Sequence, residues 1–384
     1  MGINLNRALD YPFRIFFLST ALWGILVVPL WVAVVTGAIS LPVPIPITRW
    51  HQHEMIYGFL SPAIAGFLLT AVCVWTGTER LHGVRLLLLW LVWLLGRILL
   101  LFEFGVPYFL IMAINLLFLP LVLLDAGIRV WKVRQQRQYG LILLLFLYWL
   151  IQFGFLLSNE RYWVEASVIS AFMLIAVVGG RITPAFSAAW LKKQGLNSDG
   201  VHTNDLLDKS AIGSGLVLCV AFFFENALLI GITALIAAAI QLLRTLAWRG
   251  WRVHTEPLLW ILHLALLWIP AALVLLAAGK FGLLAESAWF HAAGVGAIAS
   301  LILGVMARVS LGHTGRPLRL PSGITIAFMI IQVSALIRLF TSSNVLEWRV
   351  GISAAATAWV LAFGLFMWRY TGILLSPRAD GQPG

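Results

Sequence analysis

Two stretches of this sequence gather side chains able to hold a metal or move a proton. The first is Trp50-His-Gln-His-Glu-Met-Ile-Tyr-Gly58. Imidazole and thioether groups suit the axial positions of haem iron and are acceptable to copper. Successive helical positions turn by about 100°, so His51 shares a face with Glu54 and Met55, whereas His53 shares a face with Tyr57. A helix that starts at Trp50 therefore points the two histidines to different sides, and only an unwound first turn would let them chelate one ion. The plainer reading is a membrane rim, where His, Glu and Trp are common, but it accounts poorly for His-x-His-Glu-Met as a group.

The second stretch is His291, followed by Gly294 and Gly296, where a planar group could approach the backbone. Counted from the cytoplasmic end at about 1.5 Å per residue, His291 lies about 25 Å up its helix and His53 about 30 Å up. The expectation is an iron taking a ligand from each. Arg97 would meet a haem propionate or Glu54, a simple ion pair being the alternative, and Glu103 sits at the same rim. On the cytoplasmic side, Gly179-Gly-Arg-Ile-Thr-Pro-Ala-Phe186 and Arg308-Val-Ser-Leu-Gly-His-Thr-Gly-Arg-Pro317 offer Arg181, His313 and Arg316 to an anion or a propionate. A positive-inside loop explains those arginines equally well. Twenty-two residues of helix span on the order of 33 Å, so one haem cannot take both His291 and His313. His263 reads as a hydrogen-bonded core residue, and His82, His202 and His254 as solvated loop residues. No Gly-rich phosphate loop, serine nucleophile motif or pair of intramembrane carboxylates occurs, which argues against a hydrolase or a nucleotide-driven pump.

The elements that position these groups are membrane spans. Hydrophobic residues make up 61% of the 384 and charged ones only 11%, far from a soluble domain. A bilayer core of roughly 30 Å needs about 20 apolar residues per helix. Apolar runs predict twelve helices: 13–36, 51–75, 84–102, 107–130, 140–157, 164–180, 210–224, 226–246, 257–278, 287–308, 322–341 and 348–371. The first is longer than a signal peptide's apolar core and is read as retained. The polar stretch 192–209 is too short for a second domain, so 1–375 is expected to form one transmembrane domain and 376–384 a disordered cytoplasmic tail. Helices two, six and ten are rich in Gly, Ala and Ser, which suits close packing in lipid and is compatible with a threefold repeat.

The net charge of +11 raises the question of nucleic acid. Its basic residues are not gathered on one face, however, but sit in short loops. With the amino terminus inside, only Arg49, Arg161, Lys280, Arg338 and Arg349 fall on outer segments. Arg97 lies within a span and the remaining Lys and Arg residues are all inner. This alternation predicts an all-α polytopic membrane protein with both termini cytoplasmic. Cys73 and Cys219 lie in apolar runs outside any Cys-x-x-Cys arrangement, which argues against a disulfide framework or a zinc ribbon.

Three segments together resemble the NnrS family: His51 to Phe59, continuing through Ala65-Gly-Phe-Leu-Leu-Thr-Ala71 to Trp75-Thr-Gly77; Gly179 to Phe186; and His291 to Pro317. Cys73 and Val74 depart from the pattern, where Pro-Asn is expected. The resemblance implies a haem- and copper-containing protein of the bacterial inner membrane, acting in the response to nitric oxide or nitrosative stress, often beside denitrification. It carries His51, His53, Met55, His291 and His313 over as histidine and methionine positions, and Arg97, Arg181 and Arg316 as arginine positions, without dividing them between iron and copper. The expected partners are the lipid bilayer, nitric oxide or a related small molecule, and an unidentified electron donor; a homo-oligomer is left open. The competing class is a transporter or channel for a small solute, with intramembrane His, Glu and Arg forming its pathway.

Overall fold

The computed structural model describes residues 5–201 and 203–382, so His202 lies outside the described residues. Among those described, the chain is all helical. The twelve expected helices are present: α1 Pro12–Val35, α2 Ile47–Thr76, α3 Gly83–Leu101, α4 Tyr108–Lys132, α5 Gln136–Leu157, α6 Arg161–Lys193, α7 Asp205–Phe222, α8 Ala227–Ala247, α9 Pro257–Lys280, α10 Ala288–His313, α11 Ile324–Ser342 and α12 Trp348–Leu374. Eleven are long and apolar enough to cross a bilayer. The exception is α7, whose first turns carry Asp205, Asp208 and Lys209. The protein is thus a polytopic membrane protein. Internal Pro29, Pro120, Pro184 and Pro270 are carried within helices, as neighbouring spans allow.

The helices gather into two compact units, one of Met1–Asn159, Met306–Ile324 and Trp359–Gly384, the other of Glu160–Val305 and Thr325–Ala358. In the first unit α1 packs on α2 through Phe13, Phe16 and Phe17, all fully buried. Gly24 lets Phe59 and Trp359 close on the α1 backbone, and the Trp359 indole donates to the Gly24 carbonyl at 3.0 Å. In lipid such close packing, rather than exclusion of water, holds helices together. Both ends of the chain meet in this unit. Arg14, at the start of α1, is fully buried and donates to the carbonyls of Leu374 and of Ser376, the latter at 2.9 Å. The start of α1 and the end of α12 therefore lie together.

In the second unit the structure departs from the sequence reading at α6. Gly179-Gly180 looked like a helix end, yet α6 runs unbroken to Lys193. The two glycines mark close approach instead: a Cβ at Gly179 would strike Leu266, and one at Gly180 would strike the Arg244 guanidinium. That guanidinium reaches across to the Ala176 carbonyl at 2.9 Å and to Asp208 at 2.5 Å.

Candidate functional site

A π-helical stretch interrupts α2 at Glu54–Phe59 and another interrupts α10 at Ala292–Ala299, each beginning directly after a histidine of the motif. A π turn bonds i to i+5, frees carbonyls from the regular ladder and re-aims the side chains around it, and such turns recur at functional sites. Here side-chain donors, from neighbouring helices at α2 and from Ser300 of the same helix at α10, take up the slack. In α2 the Ile56 carbonyl accepts from the Tyr148 hydroxyl at 2.6 Å, and the Gly58 carbonyl from the Trp93 indole at 3.0 Å. In α10 the Val295 carbonyl accepts from Ser300 at 3.2 Å; Gln332 donates to that hydroxyl at 2.7 Å and accepts from the Trp268 indole at 2.8 Å.

The two histidines of α2 face apart, as their spacing predicts. The His51 ring stacks on Trp31 of α1, with centroids 4.2 Å apart and planes at 10°, and half-buried Met55 follows one turn later. His53 is fully buried, its ring 5.3 Å from Tyr57. Its Nδ1 lies 3.0 Å from Glu54 Oε1 and its Nε2 lies 3.3 Å from Gln152 Nε2. A carboxylate only accepts, so the proton belongs on Nδ1, and the Nε2 lone pair takes the Gln152 amide. Glu54 Oε1 also accepts from Arg97 at 2.7 Å, and Arg97 donates to Asn115 Oδ1. Of the two partners the sequence offered Arg97, the structure gives it Glu54. The charges of Arg97 and Glu54 thus oppose one another at a site where either alone would be costly.

His291 is held differently. Its Nδ1 donates to the Ser287 carbonyl at 2.9 Å, one turn back on α10, and lies 3.2 Å from Ser342 Oγ of α11. The lone pair is then on Nε2, the tautomer that carbonyl bonding selects in metal-ligating imidazoles. Beside it Gly294 is open, with nothing within 4 Å of where a Cβ would stand, whereas a Cβ at Gly296 would strike Trp268.

His313 closes α10 at the other end, its ring 5.6 Å from Phe13. The Gly-His-Thr-Gly turn of residues 312–315 is a dock for Arg378, Ala379 and Asp380. Gly315 has φ +67°, and a Cβ there would strike the Asp380 carboxylate. Ala379 N–H donates to the Thr314 carbonyl at 2.9 Å and Arg378 to the His313 carbonyl at 3.1 Å. The segment expected from composition to be a disordered tail makes these bonds over its described residues. Arg378 grips Asp380 with both arms of its guanidinium and holds that carboxyl down at about 2. Arg316 reaches the Thr314 carbonyl at 3.4 Å, and burial lowers its pKa. Arg181 belongs to α6 in the other unit. His263 is the core residue expected, its Nε2 2.9 Å from Ser187 Oγ, while exposed His82 meets Glu79 at 3.0 Å.

Several participants escaped the sequence reading. Asn115 and Gln152 are lone polar residues within apolar runs, a signal that was there to use. Ser342 and Trp31 carry no such mark. Glu165 is also new: almost fully buried, it is shared between Lys280 at 2.8 Å and Arg161 at 3.2 Å, beside a cavity of about 260 Å³.

Among the described residues no three or more His, Cys, Asp or Glu side chains converge as a metal site. A tetrahedral zinc centre needs such a set. An axial position on a tetrapyrrole needs one imidazole, because the macrocycle supplies the other nitrogens, and His291 beside open Gly294 fits that requirement. A search of the curated proteins finds no match. The family model described as NnrS protein matches residues 7–378, nearly the whole length and all three motif segments. The chain belongs to the NnrS family.

Proposed function

We propose that this protein is a haem-binding protein of the bacterial inner membrane, with copper as a second metal, acting in the response to nitric oxide and nitrosative stress. The observation that carries the reading is His291. Its proton is fixed on Nδ1 by the Ser287 carbonyl, beside a π turn that Gly294 leaves uncovered. When bound, haem iron with an exchangeable position would supply the binding of a diatomic gas. The chain's own contribution is to hold the imidazole tautomer and to open the backbone where a planar group can lie. His51 and Met55, on one face of α2, supply the nitrogen and thioether donors that copper accepts. His53 is engaged on both nitrogens and serves to position the α2 turn together with Glu54 and Gln152. A solute pathway built on Glu54 and Arg97 is disfavoured because those two groups are bound to one another.

The test is the optical spectrum and metal content of the purified full-length protein. A Soret band with iron near one equivalent supports the reading. A colourless, iron-free protein from haem-sufficient cells would reject it.

A further inference from the structure

Six arginines within or at the ends of the spans meet an acid or the free carbonyls of a helix end. Arg97 has Glu54, Arg129 has Asp125, Arg161 has Glu165 and Arg244 has Asp208. Arg14 holds carbonyls at the end of α12, and Arg49 those of Phe155 and Ser158 at the end of α5. Arg338 on α11 has neither kind of partner among the described residues. No carboxylate of the described residues pairs with it, and its one hydrogen bond runs from NH1 to Ser342 Oγ at 2.8 Å. A neutral hydroxyl leaves the guanidinium charge unbalanced.

The same hydroxyl links Arg338 to His291. Ser342 Oγ donates to the Arg338 carbonyl at 2.8 Å, accepts from the guanidinium and lies 3.2 Å from His291 Nδ1. The remaining guanidinium N–H groups make no hydrogen bond among the described residues and are not sealed in the interior. A planar guanidinium with two free donors matches anions that present two oxygens side by side.

We propose that Arg338 and Ser342, beside His291, form an anion site at the outer end of α10 and α11 that takes a carboxylate or a small two-oxygen anion of the nitrite type. The anion has two possible sources: a carboxylate carried by the group bound at His291, or a free ion from the outer aqueous phase. Only the first source rests on the function proposed above.

The experiment uses the full-length protein in nanodiscs of phosphatidylcholine, as wild type, Arg338→Gln and Arg338→Lys. Thermal midpoints are titrated with sodium nitrite and with sodium acetate against sodium chloride at constant ionic strength, and pigment retention through gel filtration is followed in parallel. A free-anion site raises the wild-type midpoint in nitrite or acetate; Arg338→Gln weakens the apparent affinity at least about tenfold, the weight of a charged hydrogen bond, and Arg338→Lys, which keeps the charge but loses the planar fork, falls between the two. A site filled by a bound carboxylate leaves the wild-type midpoint flat, but Arg338→Gln then sheds the pigment that wild type retains. If Arg338→Gln does not fold, Arg338→Lys and Ser342→Ala carry the same readouts with smaller shifts. The proposal is overturned if the midpoint is flat and pigment retention is unchanged, if Arg338→Gln responds as wild type does, or if the variants differ only when phosphatidylglycerol is added, which would place the arginine among lipid headgroups. A colourless wild type would reject the haem reading and leave the anion titration to decide this one.

Discussion

Arg97 and Glu54 stand 2.7 Å apart with both side chains buried, and the carboxylate oxygen they share also accepts from His53. Removing one partner of such a pair strands the other charge, at a cost of about 3–5 kcal/mol, whereas removing both is far milder. Arg97→Gln and Glu54→Gln should therefore each lower the thermal midpoint sharply, and the double variant should recover more than half of the loss. Midpoints that fall additively would show the pair to be energetically idle.

Gly58 lies directly beneath that pair. A Cβ there would stand 2.5 Å from Glu54 Oε2 and 2.6 Å from Arg97 NH1, so Gly58→Ala must push the charges apart. Overpacking costs about 1–3 kcal/mol, and combined with Arg97→Gln it should add little further. Gly294→Ala meets open space and should leave stability within about 0.5 kcal/mol of wild type, yet shift the Soret band if a porphyrin lies over that backbone. Unfolding curves and spectra of the two variants separate these effects.

The C-terminal dock is pH-sensitive through Asp380. Its folded pKa of about 2 is below its unfolded value of about 3.9. The stabilisation is therefore complete above about pH 5 and disappears as pH falls towards 2. Asp380→Asn should abolish that dependence and raise hydrogen exchange at the Ala379 amide, which the dock ties to the Thr314 carbonyl. Unchanged exchange would mean the backbone bonds hold the segment without the carboxylate.

How much of this was legible in the sequence depended on whether one helix or several determine the feature. The twelve helices and the opposed faces of His51 and His53 follow from hydropathy and the turn of a single helix, while α7 proves too polar to count among the eleven candidate spans. The sequence could not show that Gly179-Gly180 lies inside α6, because a glycine pair reads equally as a helix end or as a place where Arg244 crosses. The π turns were likewise hidden: α-helical periodicity carries no mark of one extra residue per turn, and the donors that stabilise them, Tyr148, Trp93 and Gln332, come from other spans. Arg338 was counted as an outer charge and nothing more, since its lack of an acidic partner exists only in three dimensions.

The most direct test of the account is the visible spectrum of His291→Ala beside that of His82→Ala, purified identically from haem-sufficient cells. The expected result is a wild-type Soret band that vanishes or shifts in His291→Ala and survives unchanged in His82→Ala, whose ring only meets exposed Glu79. Equal pigment in wild type and His291→Ala, or equal loss in both variants, would contradict it.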